Sequence, residues 1–463
     1  MRGILSHAGY LPYRRLDRST IAAVAGTGGG MGTRAVASYD EDTTTMAVDA
    51  ARLVLRAGPA VAPAALYFST TAPAYADKTN ATAVHAALRL PQGVVAADYG
   101  GAVRSGVAAL RLALVAPEPA LVVTADIRIG LPGGPDEASG GDGASALLVG
   151  DDTDGPVLAE FLGSASATEE FLDRWRTPGD VRSKVWEERF GEGRYLDLGE
   201  QAFASALKAT GLGPEDVTDL IVTSTHGRAA TAVARRLGRS GTNLVDDLAA
   251  RVGHTGAAHP GLLLASVLES AGPDRVVALV SLADGADVLV LRTTRHVTTY
   301  RPARPVAEQV DGGPLPYGKY LAWRGLLGIE PPRRPEPARV SATAAFRSTD
   351  WKFGFVGSRS VETGAITMPP AVAGGGGELE PVPMAGARGT VATFTIDRLA
   401  YSPSPPVVFA VVDFDGGGRL PLELTDVDAD ELAIGDRVEP TFRRLSTTDG
   451  IHNYFWKARP VRG

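Results

Sequence analysis

The sequence repeats one arrangement of helix and strands, and this repeat constrains the fold more than any other feature. In the first copy the apolar helix VRSGVAALRLALVA leads to the strand ALVVTADI, a glycine-rich connection and the strand ASALLVG. In the second copy the helix PGLLLASVLESA leads to the strand RVVALVSLA, the turn Asp284-Gly285 and the strand ADVLVLR. Helices that are apolar nearly all round are buried between layers, and continuously apolar strands belong to sheets covered on both faces. The repeat therefore predicts an internally duplicated α/β domain with two central helices between two sheets.

Composition limits the classes of function that suit this chain. A length of 463 residues allows about two to four domain-sized units. The formal charge of −7, without a long basic run, argues against nucleic acid as a partner. No apolar run reaches the about 20 residues needed to cross a bilayer, and the N-terminus lacks the apolar segment of a signal peptide. We therefore predict a cytoplasmic protein with no membrane partner.

The segment AADYGGAVRSGVAAL has the form of a catalytic elbow, in which a short strand and a small-residue turn lead into a helix. A side chain near Val103 should then lie at the helix N-terminus, where partial positive charge would stabilise a thiolate. The position holds valine, and the whole chain contains no cysteine. Disulfides, thiolate-ligated zinc and thiolate catalysis are therefore excluded.

Polar residues at the ends of predicted strands are candidates for a site, because such loops often carry chemistry. After the strand AALYFST these are Thr70, Thr71, Tyr75, Asp77 and Lys78. Each has the alternative role of a polar group that stabilises its loop. Further upstream, the acidic run Asp40, Glu41 and Asp42 is interpreted as capping the helix that begins near Thr43.

Three histidines lie near the predicted junction of the two halves. His226 follows the apolar strand Leu220–Ser224, and the second elbow, RVGHTGAAHPG, contains His254 and His259. A histidine at a strand end is a suitable general acid or base because its pKa is near neutrality. Each histidine has a structural or solvent-facing role as its alternative.

Several of these segments resemble the 3-hydroxy-3-methylglutaryl-CoA (HMG-CoA) synthases of the thiolase superfamily, over about residues 1 to 300. DYGGAVRSGVAAL resembles the nucleophile elbow, STHGRAA the segment of the catalytic histidine, and GHTGAA the Gly-Asn-Thr turn beside the oxyanion site. EDTTTMAVDAA resembles the start of the first long helix, and FLDRWRTPGD the Asp-Phe-Trp-Arg segment near the acyl-CoA channel. The resemblance implies a five-layered αβαβα thiolase-like fold, a homodimer, and acyl-CoA thioesters as substrates without a prosthetic group.

The resemblance fails at the positions that matter most for catalysis. The nucleophilic cysteine falls on Val103, the acid/base glutamate falls near Thr70, and the turn asparagine falls on His254. Only the histidine is kept, as His226. A synthase that forms an acetyl-enzyme needs the sulfur nucleophile, so ordinary synthase activity is not expected.

After Arg292 the composition becomes rich in proline and arginine, and a different architecture is expected. We predict a domain over 1–300, a linker over 301–345 with a docking helix, a ribbon region over 346–388 and a small β-barrel over 389–463. Alternating β-rich runs with turns at Asp415-Gly416 and Gly435-Asp436 predict the barrel. This part resembles the OB-fold partner domain of acyl-CoA thiolase-like enzymes, in which a zinc ribbon precedes the barrel. The resemblance implies that the OB domain helps hold the CoA moiety.

The ribbon frame is FVGSRSVETG followed by MPPAVAGGGG. The resemblance places two pairs of zinc-binding cysteines at four positions, which here hold Ser360, Thr363, Ala373 and Gly376. None of these side chains suits a tetrahedral thiolate site, so no zinc is expected. Packing of Trp351, Phe353 and Phe355 should then replace the metal, or else the loop 371–378 is disordered. In the barrel, Arg398, Arg443 and Arg444 are candidates for phosphate contacts or are solvated surface charges.

Two classes of function remain open from the sequence. The first is an acyl-CoA-dependent enzyme that makes or breaks a carbon–carbon bond beside the thioester, of aldol, retro-aldol or Claisen type, without a cysteine nucleophile. The second is a non-catalytic acyl-CoA-binding or scaffold protein that partners an active thiolase-like enzyme. The residues assigned to these roles are His226 as acid/base, His254 with elbow N–H groups as oxyanion stabiliser, Tyr99 or Tyr75 as second proton carrier, and Arg174 and Arg228 as CoA-binding residues.

Overall fold

The computed structural model describes residues 1–371 and 377–462. Two of the four expected zinc positions, Ala373 and Gly376, lie outside these residues. The chain divides into two compact units: 1–37, 50–82 and 91–320 form the first, and 38–49, 83–90 and 321–463 form the second. The boundaries expected from the sequence remain a prediction. No helix of the described residues is long and apolar enough to cross a lipid bilayer.

As far as residue 323, the chain forms fifteen strands and nine α-helices in the described residues. The strands are β1 (Arg2–Tyr10), β2 (Arg14–Asp17), β3 (Thr33–Val36), β4 (Ala65–Thr70), β5 (Val95–Gly100), β6 (Ala120–Asp126), β7 (Gly143–Asp151), β8 (Ala159–Thr168), β9 (Arg174–Trp175), β10 (Lys184–Val185), β11 (Asp219–Ser224), β12 (Asn243–Leu244), β13 (Val276–Leu282), β14 (Gly285–Thr293) and β15 (Gly313–Pro314). The helices are α1 (Ser19–Ala25), α2 (Thr43–Ala57), α3 (Ala81–Ala87), α4 (Arg104–Val115), α5 (Pro135–Ser139), α6 (Glu188–Thr210), α7 (Gly227–Leu237), α8 (His259–Ser270) and α9 (Tyr317–Trp323).

The main sheet of the first unit consists of two halves with the same topology. Its strand order is β12-β11-β13-β14-β8-β1-β7-β6-β4-β5. In the first half β4 is parallel to β5 and β6, and β7 is antiparallel to β6 and β1. In the second half β11 is parallel to β12 and β13, and β14 is antiparallel to β13 and β8. The predicted duplication is therefore confirmed.

The two halves correspond to the two predicted sheets, and a short pairing that was not predicted joins their edges. Strands β1 and β8, which begin the two halves, run antiparallel and pair at Gly3 with Glu160 and at Ile4 with Ala159. This short pairing places all ten strands in one hydrogen-bonded order. A pattern of apolar runs cannot predict this pairing, because the sequence pattern of each strand is the same whether or not the two edges meet.

Helices α4 and α8 are the two central helices of the duplication. They contact each other, and each packs on strands of both halves. Leu110 of α4 and Leu263 and Leu264 of α8 share one core cluster with Val277 and Leu289. Burial between layers is confirmed for α8, which is buried along most of its length. The outer face of α4 differs, because Leu112 and Val115 are exposed.

In the second unit, the chain beyond residue 340 forms two short helices and eight strands in the described residues. The helices are α10 (Ala342–Arg347) and α11 (Thr349–Lys352), and the strands are β16 (Val356–Ser360), β17 (Ile366–Thr367), β18 (Leu379–Pro383), β19 (Gly389–Asp397), β20 (Val407–Phe414), β21 (Arg419–Leu424), β22 (Arg437–Thr448) and β23 (Ile451–Pro460). Strands β19-β20-β21-β23-β22 close into a barrel. The predicted small β-barrel is confirmed.

The ribbon region forms a small sheet in the order β17-β16-β18. The predicted aromatic packing is present, since Phe355 stacks on Trp351 with ring centroids 5.4 Å apart and on Trp456 with centroids 5.5 Å apart. Phe353 packs on Phe442 at 5.8 Å. These rings tie the ribbon region to the barrel core. Most of the loop 371–378 lies outside the described residues.

The acidic run before α2 does more than cap the helix. The capping prediction is confirmed for Asp42, whose Oδ1 accepts a hydrogen bond from the Thr45 N–H at 2.9 Å. Glu41 instead pairs at 3.1 Å with Arg443, which is fully buried. The expectation that Arg443 contacts a phosphate or is solvated is therefore wrong, because carboxylates of its own unit surround it.

Candidate active site

A cavity of about 660 Å³ lies at the elbow of the first half, where Gly100–Val103 connect β5 to α4. Seven of the residues predicted from the sequence line it: Thr70, Thr71, Tyr75, Lys78, Tyr99, Val103 and Arg174. His226, His254 and Arg228 are not among its described lining residues. Because the cavity lies at the elbow and several predicted residues line it, we take it as the candidate active site.

A second concavity, of about 740 Å³, lies elsewhere on the first unit. Its lining comes from segments that lie far apart in the sequence and includes Met1, Asp152, Arg292 and His296. It contains none of the residues predicted for the site. Its larger volume therefore does not make it the better candidate.

Val103 lies at the N-cap of α4, with helical backbone angles of φ −56° and ψ −35°. The first N–H groups of a helix have no partners within the helix and concentrate partial positive charge. An apolar, branched side chain stands at this end, beside the cavity. The elbow therefore presents backbone dipoles and shape to a ligand, but no nucleophilic atom.

Arg104 fixes the elbow to the turn between β13 and β14. Its Nε donates to Asp287 Oδ2 at 2.6 Å, its Nη1 donates to the Asp284 carbonyl at 2.7 Å, and its Nη2 donates to Thr168 Oγ1 at 2.7 Å. Because all three groups are bound by other parts of the chain, this guanidinium positions α4 and has little capacity left for a ligand.

Asp126, at the end of β6, connects both halves beneath the cavity. Its Oδ1 accepts hydrogen bonds from Thr70 Oγ1 at 3.0 Å and from the Thr71 N–H and Oγ1 at 2.7 and 2.9 Å. Its Oδ2 accepts from the Ala257 N–H at 2.7 Å. Burial raises the pKa of this carboxyl, although the charge of Arg128 and these hydrogen bonds oppose the rise.

The second elbow must come very close to this carboxylate, and Gly256 makes that possible. Gly256 has a φ of +59°, and a Cβ there would lie 2.0 Å from Asp126 Oδ2. Any other residue would clash with the carboxylate and strain the backbone. The sequence reasoning assigned no role to Asp126, although an acidic residue that ends an apolar strand was a usable signal.

His254 and His259 lie stacked in the second elbow, with ring centroids 4.2 Å apart. His254 Nδ1 accepts from the Gly256 N–H at 3.1 Å, so its Nε2–H donates to Thr223 Oγ1 at 3.1 Å. Burial lowers the pKa of His254 well below its usual value, and the charges of His259 and Arg128 lower it further. Burial lowers the pKa of His259 to about 4. Both rings are therefore neutral at pH 7.

His226 caps α7 instead of facing the cavity. Its Nδ1 accepts from the Ala229 N–H at 3.1 Å, so its Nε2–H donates to the Glu188 carbonyl at 2.9 Å. Both ring nitrogens are thus bound to backbone groups. The ring lies 6.0 Å from that of Tyr195, which does line the cavity.

Two phenol groups and a carboxyl with raised pKa values are among the titratable groups that line the cavity. Burial raises the pKa of Tyr99, and the ring of Tyr67 lies against it at 5.4 Å. Burial also raises the pKa of Tyr195, as does the charge of Asp173. Asp284 lines the cavity beside Ala283, and burial raises the pKa of its carboxyl despite the nearby charge of Arg104. Tyr195 and Asp284 were not predicted as site residues; the turn Asp284-Gly285 was recognised only as a turn.

Three arginines line the cavity on the side of β9. Arg174 makes two hydrogen bonds of 2.8 Å to the carboxylate of Asp136, and Arg176 donates to the Thr71 carbonyl. Arg128, in the loop after β6, is the third. Arg228, which was predicted with Arg174 to bind CoA, is exposed and pairs with Glu192 at 3.0 Å.

The two ribbon positions that the structure describes do not fit zinc. Ser360 and Thr363 form a turn in which Ser360 Oγ accepts from the Thr363 N–H at 3.2 Å. Neutral hydroxyl groups are not the thiolate or imidazole ligands of tetrahedral zinc sites. Within residues 1–371 and 377–462, no cluster of three histidine, aspartate or glutamate residues is arranged to hold a metal ion.

Comparison with known proteins identifies what each part of the chain resembles. A family model described as the ChsH2 C-terminal OB-fold domain matches residues 381–443. The hydroxymethylglutaryl-CoA synthase of Methanopyrus kandleri is 29% identical over 345 residues, which cover 70% of this chain and 97% of the relative. That of Methanocaldococcus jannaschii is 28% identical over 324 residues, or 66% of this chain and 92% of the relative.

Solved structures show the same fold for the larger part of the chain. A crystal structure of HMG-CoA synthase complexed with CoA has a TM-score of 0.63 at 18% identity, covering 74% of this chain and 95% of that one. The 3-oxoacyl-(acyl carrier protein) synthase III of Pseudomonas aeruginosa has a TM-score of 0.56 at 22% identity, covering 63% and 98%. The resemblance to HMG-CoA synthases, the thiolase-like fold and the OB-fold are confirmed.

Proposed function

We propose that this protein acts on acyl-CoA thioesters and makes or breaks a carbon–carbon bond beside the thioester without attaching the acyl group to the enzyme. The observation that supports this proposal most is the composition of the cavity at the N-terminus of α4. Val103 occupies the place of a nucleophile there, while Tyr99, Tyr195 and Asp284 provide groups that can move protons. The similarity to HMG-CoA synthases supports the choice of thioester substrate.

Retro-aldol cleavage illustrates chemistry that these groups can perform. A base takes the hydroxyl proton of a 3-hydroxyacyl-CoA, and the C2–C3 bond breaks. The electron pair of that bond moves to the thioester carbonyl as an enolate, and a carbonyl compound leaves. Return of the proton to C2 gives the shorter acyl-CoA, and the aldol reaction is the reverse.

The residues of the cavity can be assigned to these steps. We assign Asp284 as first candidate for the general base, because it lines the cavity and the pKa of its carboxyl is raised above the usual value. His226 is the second candidate, since its Nε2–H must first leave the Glu188 carbonyl. The protonated phenols of Tyr99 and Tyr195 can donate to a leaving or returning group. First-turn N–H groups of α4 can stabilise the enolate oxygen.

Incubation with a panel of 3-hydroxyacyl-CoA and acyl-CoA thioesters, with products followed by mass spectrometry, tests the proposal. Removal of a general base costs about 10² to 10⁴ in rate, so Asp284→Asn should lose activity by that factor. His226→Asn keeps an acceptor for the N-cap while removing the titratable ring. Loss of activity in this variant, with activity kept in Asp284→Asn, would transfer the role to His226. Asp197→Asn, at an exposed position of α6, is the control.

A non-catalytic acyl-CoA-binding protein is the second candidate. The observation that favours it is His226, whose two ring nitrogens are both bound to backbone groups while Val103 lies at the elbow. Thioesters that bind measurably but are recovered unchanged across the whole panel would select this alternative.

A further inference from the structure

Arg128 occupies a rigidly built position at the cavity. Its N–H donates to Asp142 Oδ1 at 2.9 Å, and its carbonyl accepts from Arg34 Nη2 at 2.8 Å. Arg34 and Asp142 themselves form an ion pair of 3.2 Å in which both side chains are fully buried. Because these groups hold both backbone polar groups of Arg128, its side chain is the part that faces the cavity.

The side chain of Arg128 is partly exposed, and its guanidinium has few partners within the protein. In the described residues its one hydrogen bond runs from Nη1 to Thr71 Oγ1 at 3.4 Å, and no ion pair includes it. A guanidinium has several N–H donors in a planar fork. When a ligand displaces water from the cavity, this charge loses hydration, which costs free energy unless an anion or good acceptors compensate.

The neighbouring charges do not provide that compensation. Asp126 already accepts four hydrogen bonds from Thr70, Thr71 and Ala257. Burial lowers the pKa of Arg128; the charges of Asp126 and Asp136 oppose this change, whereas the charges of Arg174 and Arg176 add to it. Arg174 differs from Arg128, because both of its bonds reach Asp136. Among the described residues neither Arg128 nor Arg176 pairs with a carboxylate, but Arg176 is exposed, whereas Arg128 is partly buried. Arg128 is therefore the less solvated of the two cavity arginines whose charge is available for a ligand.

The position of Arg128 indicates which part of a ligand it meets. Its hydrogen-bond partner Thr71 and the elbow residue Val103 line the same cavity. In the proposed function, the reacting carbons of the thioester lie at this elbow. An anionic group there belongs to the acyl part of the substrate, whereas the phosphates of CoA lie toward the other end of a bound thioester.

We propose that Arg128 binds a second carboxylate on the acyl group, so that the protein selects acidic acyl-CoA thioesters over neutral ones. This inference rests on the proposed thioester substrate and adds its class. A carboxylate matches the planar fork of a guanidinium. The phosphate of CoA has the same oxyanion chemistry, so the test must separate the two sources.

Calorimetric titration with a matched pair of thioesters tests the inference. Succinyl-CoA and butyryl-CoA have acyl chains of the same length and differ in the terminal carboxylate. We expect succinyl-CoA to bind at least about 10-fold more tightly, because a charge-assisted hydrogen bond contributes that much. Arg128→Gln should remove this preference and leave the Kd of butyryl-CoA within about twofold. Arg128→Lys should keep part of it, and Arg236→Gln, an exposed arginine on α7, should change nothing.

Several outcomes would overturn the inference. Equal Kd values for the two thioesters in the unaltered protein would do so without any variant. Equal weakening of both by Arg128→Gln, together with loss of discrimination between CoA and 3′-dephospho-CoA, would assign Arg128 to the CoA phosphates. A preference for succinyl-CoA without turnover of any thioester would leave this inference standing while the catalytic proposal fails. Failure to bind either thioester would overturn both.

Discussion

At the scale of single residues, Val103 shows that an elbow of this geometry can have an apolar side chain at the helix N-cap. The side chain still lies at the N-cap of α4, beside the cavity. Because the chain has no cysteine, a single introduced thiol can report the electrostatics of this position. We predict that Val103→Cys gives a thiol with a pKa below the usual 8.5, since helix N-termini stabilise thiolates. The pH dependence of its alkylation, followed by mass spectrometry, measures this value.

The matched control is Val24→Cys, at an exposed position in the last turn of α1. A helix C-terminus disfavours negative charge, so this thiol should titrate at or above the usual value. If the two thiols titrate alike, the N-terminus of α4 does not provide the stabilisation on which the enolate role depends.

Single residues also show which parts of the candidate site can be predicted from the sequence and which cannot. The place of Val103 was predictable, because a strand, a small-residue turn and a helix follow one another along the chain. Asp126 and Arg128 were not predicted as site residues, although both belong to the segment TADIRIG. Their roles depend on Thr70, Thr71 and Ala257, which lie far from them in sequence. No local pattern shows that these segments meet.

At the scale of elements, the end of α8 contains a carboxyl that should make stability depend on pH. Glu269 accepts hydrogen bonds of 2.9 Å from the Val306 N–H, and burial raises the pKa of its carboxyl from 4.5 to about 7. Because the pKa of Glu269 is higher in the folded than in the unfolded protein, its contribution to stability is fully present below about pH 4.5. This contribution is lost as the pH rises to about 7. We predict that thermal stability falls less between pH 5 and 8 in Glu269→Gln than in the unaltered protein.

The control for this variant is a glutamate whose side chain is exposed to water. Glu118 is exposed, so Glu118→Gln should follow the unaltered protein across the same range of pH. A pH dependence that is the same in all three proteins would contradict the role of Glu269.

Barrel strand β22 forms ion pairs with acidic residues that lie far from it in the sequence. Arg443 of β22 is fully buried and pairs with Glu41, Asp49 and Asp426 at 3.1, 3.4 and 3.0 Å. Removing one partner from a buried charge network costs about 3 to 5 kcal/mol, because the remaining charges stay uncompensated. We predict that Arg443→Met destabilises β22 and β23 by this amount, measured by hydrogen exchange of their amides.

An exposed ion pair of the same barrel is the control for this variant. Arg419 pairs with Asp413 at the surface, and such pairs contribute about 0 to 1 kcal/mol. Arg419→Met should therefore leave the exchange of β22 and β23 nearly unchanged. The sequence predicted the barrel from alternating strands, but it could not pair Arg443 with acids some four hundred positions earlier.

At the scale of the whole molecule, the duplication was predictable because both halves repeat the same order of apolar helix and strands. The pairing of β1 with β8 was not, since it depends on two edges that meet. The sequence likewise does not predict what the free edges of the two outer strands of the main sheet, β12 and β5, contact. Within the described residues β5 hydrogen-bonds only to β4 and leaves its other edge unpaired.

The unpaired edge of β5 leads to a prediction about assembly. Val95 is 58% exposed on this strand, and Leu112 and Val115 are 40% and 61% exposed on the adjoining α4. An exposed strand edge beside apolar side chains is a template for pairing with another chain. We predict a homodimer in which the β5 edges of two copies meet, with a mass in light scattering of twice the 48.1 kDa of one chain. Val95→Asp with Val115→Asp should give monomers, because charges would be buried at the interface. Val185→Asp, an exposed change on β10, should leave the dimer intact, and a monomeric unaltered protein would disprove the prediction.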